Sequence, residues 1–541
     1  MVSISCAVHD VAHLSCLSER VSTSHHQGVT IPRSFAPSRR GFLAWSGGAA
    51  ATATLYGLST APAWAAPRFP QSPFTLGIAS GDPTPDGIVL WTRLAPEPQA
   101  ADGLGGMPPY KVQVNWQVAT DPEFRNVVKA GSESATPELA HSVHTEVNGL
   151  RPSADYWFRF RVGAEESPVG HTRTAPAAGS DPRRITFALA SCQSWAGGRY
   201  AAYRTMAQED LDLVVHVGDY TYEGKNHESL ADFRNNHAKY KSSPDLQAAH
   251  ARFPFVVTFD DHEIENNWAD GVSQPDNEAS NDPQRFLQLR ANAFQAYYEH
   301  LPLRRPQRPT GPAMVLYRGL DYGNLARFHV LDTRQYRSDQ LTENFPGGPQ
   351  HPDVYNPSRT FMGDAQEQWL FQGLASSPAR WNVLAQQTMM AQYDYDPSEI
   401  LSVNHDQWDG YVVSRNRLTN FINQQDPSNP VILSGDWHSA FVNDVLLDHA
   451  DPSSNVVAAE FVGTSISSGC GWAQAIKNGL PANPHTHYIN PDKRGWTRCT
   501  VTPDEFRSDY LVVASASDTT SPAIADASFV VRNGQPGAQR A

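Results

Sequence analysis

The sequence predicts an α/β layered core preceded by a small β-sandwich. Three observations carry that expectation. From about Arg68 to Ala175, short alternating segments are separated by Pro, Gly and Asp turns. Beyond a linker of small residues, apolar strands alternate with amphipathic helices. Four of those strands end abruptly in polar residues able to do chemistry. At 541 residues the chain exceeds what one core usually serves, so two folded domains are expected. Its 42 Lys plus Arg against 56 Asp plus Glu suggest no basic face for nucleic acid.

Residues 1–65 are expected to lie outside the fold. Ser38-Arg39-Arg40-Gly41-Phe42-Leu43 precedes a weakly apolar stretch from Ala44 to Leu58, and Ala63-Trp64-Ala65 offers small residues where a signal peptidase reads. The arrangement resembles a twin-arginine export signal, so the translocase is an expected partner and the periplasm or exterior the expected destination. A stable membrane anchor is disfavoured because Gly47, Gly48 and Gly57 interrupt a short apolar stretch that a cleavage site follows. Export removes Cys6 and Cys16 and leaves Cys192, Cys470 and Cys499. An odd count leaves one thiol unpaired, and Cys192, at a strand end among acidic residues, has a reason to be free. Pairing of Cys470 with Cys499 is left open.

In the 68–175 segment, Gly87–Arg93, Tyr110–Val118, His144–Val147 and Tyr156–Val162 read as strands. The run Leu150 to Tyr156 resembles the corner of fibronectin type III sandwiches, where a Tyr hydroxyl bonds back to nearby backbone. Thr174 to Pro182 is the linker, and a second domain is expected over 183–530. There, Arg285–Glu299 and Gly363–Leu374 have helical periodicity, while Leu325–Leu331 and Trp381–Leu384 read as strands.

The organising stretch is Leu213–Val217, a β-branched strand that runs into Gly218-Asp219, with Tyr222 three residues on. Phe253–Phe259 ends in Asp260-Asp261-His262-Glu263, Pro430–Ser434 in Gly435-Asp436-Trp437-His438, and Ile185–Ala190 in Ser191-Cys192-Gln193. Strand ends of an α/β sheet are where ligands bind. So many carboxylates meeting at one rim repel one another unless cations lie among them. Thiolate, phenolate and imidazole suit a transition metal, whereas the carboxylates suit Ca²⁺ or Mg²⁺. Arg334, after another strand, is positioned to grip an anionic substrate bidentately; pairing with Asp332 is its structural alternative.

These motifs carry a resemblance. Leu76-Gly77-Ile78-Ala79-Ser80-Gly81-Asp82-Pro83, SCQ at 191, HVGDYTYE at 216, DDHEIENNW at 260, LDTRQYRS at 331, MGDAQEQWL at 362 and SGDWHSAF at 434 follow one another in order. Together they are similar to the PhoD-type alkaline phosphatase and phosphodiesterase family, a branch of the calcineurin-like metallophosphoesterases. The resemblance implies a core β-sandwich flanked by helices, and hydrolysis of phosphate esters at one Fe³⁺ with Ca²⁺. It implies that Cys192, Asp219, Tyr222 and His438 surround the iron, that Asp219 bridges towards calcium, and that Asp261 and Asp436 serve calcium; Asp260 joins the metal cluster.

The chemistry expected is metal-assisted in-line attack on phosphorus by an oxygen nucleophile whose identity the sequence leaves open. His262 and His216 are candidate acids for the leaving group, although for His216 a buried structural role is the preferred reading. The substrates expected are small or polymeric phosphate monoesters and diesters, acted on by a monomer. Two alternatives stand beside this: phospholipase D-like cleavage of phospholipid head groups, with Trp437, Trp268 or Trp195 as candidate contacts, and a binding module using calcium structurally. Calcium has no use for thiolate, which argues against the module.

Overall fold

The computed structural model describes residues 69–224, 227–274, 282–398 and 400–541; the export signal read in residues 1–65 lies outside them. Two sheets lie face to face. At the heart of a ten-stranded sheet, Ile185–Ala190, Leu213–His216 and Pro254–Val257 run parallel and side by side. Every residue of these three strands is buried, as their continuous apolar sequence requires. In a seven-stranded sheet, Ala326–Val330, Trp381–Ala385, Pro430–Ser434 and Val456–Val462 are likewise parallel neighbours.

Phe187, Leu189 and Val215 of the first sheet pack against Phe328, Val383, Leu433 and Phe461 of the second. The helices Leu230–Lys241, Pro244–Arg252 and Pro283–His300 cover the first sheet's outer face, with Phe233, Leu246 and Phe294 against Val214 and Phe255. Their starts are written locally: Ser229 and Asp232 form a reciprocal cap, and Asp282 caps the helix that opens with Pro283. Gly363–Ala375 and Val412–Gln425 cover the other sheet through Leu370, Leu374 and Leu418. The result is the expected β-sandwich between helical layers.

The small sandwich is present, but one of its sheets is not its own. Val112–Ala119, Val127–Ala135, Asp155–Val162, Glu165–Glu166 and Gly170–Arg173 form a five-stranded sheet. Val114, Phe158 and Phe160 of that sheet bury against Ile78, Leu90 and Val147. The latter belong to Ile78–Thr84, Gly87–Arg93 and Ser142–Asn148, which continue the ten-stranded sheet through parallel pairing of Ser80 and Gly81 with Pro254 and Phe255. Gly81 permits that junction, because a Cβ there would lie 2.4 Å from the Pro302 carbonyl oxygen. The linker is pinned too: the Ala175 amide donates to Thr84 at 3.1 Å and the Asn324 amide to Ser180 at 2.7 Å.

Four strands unread in the sequence, Arg494–Val501, Glu505–Val513, Ala523–Arg532 and Gln535–Arg540, extend the Ile185–Ala190 side of the large sheet antiparallel. They carry the fold past residue 530, the limit expected from sequence. Gln535-Pro536-Gly537-Ala538 has no strand-favouring residue; it pairs with Ala523–Arg532, and the Asp444 carboxylate accepts from the Ala538 amide at 2.8 Å. Cys499 is buried in one of these strands and Cys470 is half-buried in a loop; both are free thiols, so the pairing left open by the sequence is absent.

The Tyr156 hydroxyl accepts from the Arg151 amide at 2.9 Å, closing the corner read in the sequence. Tyr156→Phe removes that bond and nothing else, so urea denaturation is expected to show a loss of about 1 kcal/mol with an unchanged slope.

Candidate metal centre

The carboxyl ends of the parallel strands in both sheets open on one point. There the backbone turns sharply: Cys192, Asp219, Asp436 and His438 sit at φ of 58°, 57°, 61° and 53°, a region non-glycine residues seldom occupy. All four are among the ligands expected from sequence, and strain held this way is characteristic of functional sites. Gly218, at φ 117°, lets the Asp219 turn nest against the Asp260 strand end, since a Cβ there would lie 2.4 Å from that of Asp260. The Cys192 amide donates to Gly218 at 3.1 Å and the Gln193 amide to Asp219 at 3.0 Å, locking adjacent strand ends. Glu263 braces the next pair: its carboxylate accepts from the amides of Tyr220 at 2.6 Å and Asp260 at 2.9 Å.

Two sets of donor atoms emerge. Cys192, Asp219 and His438 bring sulfur, oxygen and nitrogen within 4.8 Å of one another, and Asp219, Asp260, Asp261 and Asp436 do so with oxygen alone. Asp219 belongs to both. Tyr222 joins the first set, its hydroxyl 2.7 Å from Asp219 Oδ2 and 2.8 Å from His438 Nε2. His438 Nδ1 faces the Gly469 carbonyl at 2.9 Å, which can only accept, so the proton is on Nδ1 and the Nε2 lone pair faces the cluster. His262 lies within 4.8 Å of Asp219 and Asp261 and stacks on Tyr222 at 4.2 Å.

Electrostatics shows that this arrangement wants cations. Burial, then repulsion from Asp261, pushes the Asp436 carboxyl up to about 8. Burial raises Asp219 and Asp260 as well, and burial with Asp219 nearby drives the Cys192 thiol well above its ordinary value. Asp219 Oδ1 and Asp260 Oδ2 are buried without a hydrogen-bond partner. Two unsatisfied carboxylate oxygens among convergent donors are the signature of ligand positions, and the residues present fit metal ions of two kinds. The mixed sulfur, oxygen and nitrogen set suits a transition metal and the all-carboxylate set a hard divalent cation.

Above this floor opens a cavity of about 430 Å³ lined by Asp261, Asp436, His438 and His262 together with Asn266, Glu343, Phe345, Asp406, Trp437 and Trp472. His262 Nδ1 is 2.8 Å from Glu223, which also accepts from the Asn266 amide at 2.9 Å. Glu223, Glu263 and Asp406 went unread as site residues in the sequence. Glu223 and Glu263 lie inside quoted motifs, so only their bracing roles were hidden; Asp406 follows a two-residue strand, Ser402–Val403, too short to leave a signal. Of the aromatic contacts considered, Trp437 lines the cavity, whereas Trp268 is fully buried and Trp195 packs on Tyr200 and Tyr240.

Comparisons with known proteins identify the family. The family model for PhoD-like phosphatase matches residues 187–510, and that for the PhoD-like phosphatase N-terminal domain matches residues 59–176. Alkaline phosphatase D of Bacillus subtilis (strain 168) is 47% identical over 496 residues, covering 88% of this chain and 84% of that protein. A solved structure described as that of PhoD superposes with a TM-score of 0.83 at 46% identity, covering 88% of this chain and 93% of the other. A purple acid phosphatase from yellow lupin (Lupinus luteus) seeds shares the fold, with a TM-score of 0.50 at 13% identity over 84% of this chain and 73% of its own. The chain belongs to the PhoD-like phosphatase family.

One expectation changes. Arg334 does not line the cavity: its side chain is fully buried beneath the carboxylates, with Nε 2.5 Å from Asp260 and Nη1 2.8 Å from Asp406. A grip on substrate is therefore replaced by charge balance within the protein, and Asp332 contacts only its backbone amide, at 3.1 Å. For His216 the burial supports the structural role preferred from sequence over that of an acid for the leaving group. Its ring is buried, Nδ1 accepts weakly from the Gly218 amide at 3.4 Å, and burial pushes it down to about 3.

A histidine kept neutral in the fold but titrating near 6.5 when unfolded stabilises the protein above the unfolded value, and that stability is lost as pH falls towards 3. His237, also buried and pushed to about 3, acts in the same direction. Denaturant melts between pH 6.5 and 4 are expected to show His216→Phe with a stability slope shallower by about 1.4 kcal/mol per pH unit than the parent protein.

Proposed function

We propose that this chain hydrolyses phosphate monoesters and diesters at a centre holding Fe³⁺ and Ca²⁺. The observation that carries the reading is the sharing of Asp219 between a thiol-containing donor set and an all-carboxylate one. A centre that held calcium alone would have no use for Cys192. On this reading Cys192, Asp219, Tyr222 and His438 hold the iron, while Asp219, Asp260, Asp261 and Asp436 hold calcium. Cations bound there neutralise the phosphoryl oxygens and acidify a water for in-line attack.

The chain's own residues do the rest. His438 is oriented by the Gly469 carbonyl, and Ser468 Oγ donates to the Tyr222 hydroxyl at 2.8 Å, fixing the phenol against Asp219. His262 is the acid for the leaving oxygen. Burial opposes its charge, but Glu223 and Asp261 outweigh that and hold the ring protonated well above its ordinary value. With Nδ1 committed to Glu223, Nε2 is the atom that hands over the proton. Arg334, itself paired with Asp406, keeps Asp260 in place from below. Among the described residues no helix is long and apolar enough to cross a membrane, and residues 1–65 are read as the signal for twin-arginine export of the folded enzyme.

Cys192→Ser is expected to fold and to lose iron by elemental analysis. Its turnover should fall by at least the roughly 10- to 100-fold that follows removal of groups supporting metal ligands. Cys470→Ser should retain both iron and turnover, and a calcium chelator should abolish activity reversibly; a Cys192→Ser enzyme with full iron and normal rate would falsify the ligand assignment. In cells, Arg39→Lys with Arg40→Lys is expected to leave precursor in the cytoplasm, and normal export of that variant would point to the general secretory route.

A further inference from the structure

Between the ten-stranded sheet and the helices on its outer face lies a second charged region, and its imbalance is the reverse of the metal centre's. Lys241, the last residue of the helix Leu230–Lys241, is 2% exposed, and its Nζ has no hydrogen-bond partner. The ammonium rests over the Trp91 ring at 4.0 Å and stands 5.8 Å from the Tyr220 ring. One turn earlier on the same face of that helix, His237 is fully buried and neither of its ring nitrogens has a partner. Its ring stacks on that of His300 at 5.0 Å. His250, whose Nε2 meets the Tyr220 hydroxyl at 2.7 Å, also leaves its Nδ1 unpaired.

The charges of this region do not balance. Arg93 is fully buried there and gives its donors to uncharged acceptors: the Ala140 carbonyl at 2.9 Å, His300 Nε2 at 2.6 Å and the Gly103 carbonyl at 2.7 Å. His300 Nδ1 faces the Ala296 carbonyl at 2.7 Å, so that ring carries its proton on Nδ1 and is neutral. Glu299 is buried nearby, but both its oxygens are taken by Arg234, at 2.7 and 2.6 Å. Among the described residues no carboxylate pairs with Lys241 or Arg93. Both charges reach His237: burial, then Lys241 and Arg93, push that ring down to about 3. Buried cations persist only where a counter-charge or hydrogen bonds make good their lost hydration.

We propose that Lys241 and His237 bind a small monovalent anion, a halide such as chloride, in the core between the helix Leu230–Lys241 and the ten-stranded sheet. Lys241 supplies the charge, and the neutral His237 ring supplies an N–H donor. A halide suits two or three donors in an aromatic surround, whereas a phosphate or sulfate presents more acceptor oxygens and more charge than these residues can satisfy. The ion ties the helix to Trp91, on the strand Gly87–Arg93, and to Tyr220, whose amide Glu263 braces beside Asp219. Its effect is therefore on the stability of the fold beneath the metal floor. The site shares no residue with the metal-facing donor sets, and it stands independently of the reaction proposed there.

The test melts the metal-loaded protein, prepared without chloride, in sodium chloride and in sodium gluconate of equal ionic strength, gluconate being too bulky for the site. At about 100 mM, chloride is expected to raise Tm by roughly 2 °C over gluconate. Lys241→Met keeps the unbranched stem and removes the charge, so it should fold and lose that difference. Lys239→Met, at an exposed position of the same helix, should keep it. Crystals soaked in sodium bromide should show an anomalous peak beside Lys241 Nζ. Water alone beside Nζ in the soaked crystals, or a chloride effect as large in Lys241→Met as in the parent, would overturn the site. A bromide peak without any chloride effect on the parent's Tm is binding at crystal concentration only, and overturns it as well. If Lys241→Met does not fold, the parent's melts and the bromide peak together decide.

Discussion

Four carboxylates sharing one nearly water-free point is the constraint from which the rest of the structure follows. Asp219, Asp260 and Asp261 are buried and Asp436 nearly so, and a single guanidinium, that of Arg334, reaches among them. Its charge is divided: the closest contacts go to Asp260 and Asp406, while Nη2 stands 3.8 Å from Asp261 and 3.9 Å from Asp436. Asp406 is itself shared with Arg337. Arg334 and the protonated His262 cannot neutralise so many anions, and burial with repulsion from Asp261 drives Asp436 up to about 8. The site is therefore a deficit of positive charge built into the fold, and metal binding is its physical completion.

Holding that deficit takes rigid support. Left-handed φ at four non-glycine residues costs on the order of 1–3 kcal/mol each, and such strain persists only where the surroundings over-determine it. Here the determination comes from below. The strands that deliver Cys192, Asp219 and Asp260 are buried along their whole length between a helical layer and the second sheet. Backbone bonds between successive strand ends, with Glu263 bridging two of them, then leave the turns no slack. Gly435 shows how closely the two sheets meet under the site: a Cβ there would lie 2.7 Å from that of Ser191.

This logic explains what could be read from the chain and what could not. Apolar strands ending in Gly-Asp or Ser-Cys were legible, because burial on both faces and an abrupt polar end each leave a local mark. Convergence of those ends was legible from charge, since repulsion demanded a cation. The small sandwich was legible from alternation, but its shared sheet was not: the pairing of Gly81 with Phe255 joins residues far apart in sequence. Arg334 was misread because an arginine after a strand looks the same whether it points out to substrate or in to Asp260. Asp406 and Glu223 lie in irregular segments, and the Gln535–Arg540 strand is held by a partner rather than by its own residues.

The division between strand ends and loops also separates two tasks. Metal-facing residues sit on the ends of buried strands, where position is fixed by both cores. Phe345 and Trp472 sit on irregular segments; the first packs on Trp437 and Trp472 and precedes the short pairing of Gly348–Pro349 with Ser402–Val403. Such segments tolerate change without disturbing the floor. Trp437 is the exception. It is 3% exposed and packed on Phe441 and Val462, and the residues on either side of it are both held in left-handed turns. A change at Trp437 moves Asp436 and His438 with it, so the aromatic wall has one member bound to the chemistry and two free to vary around it.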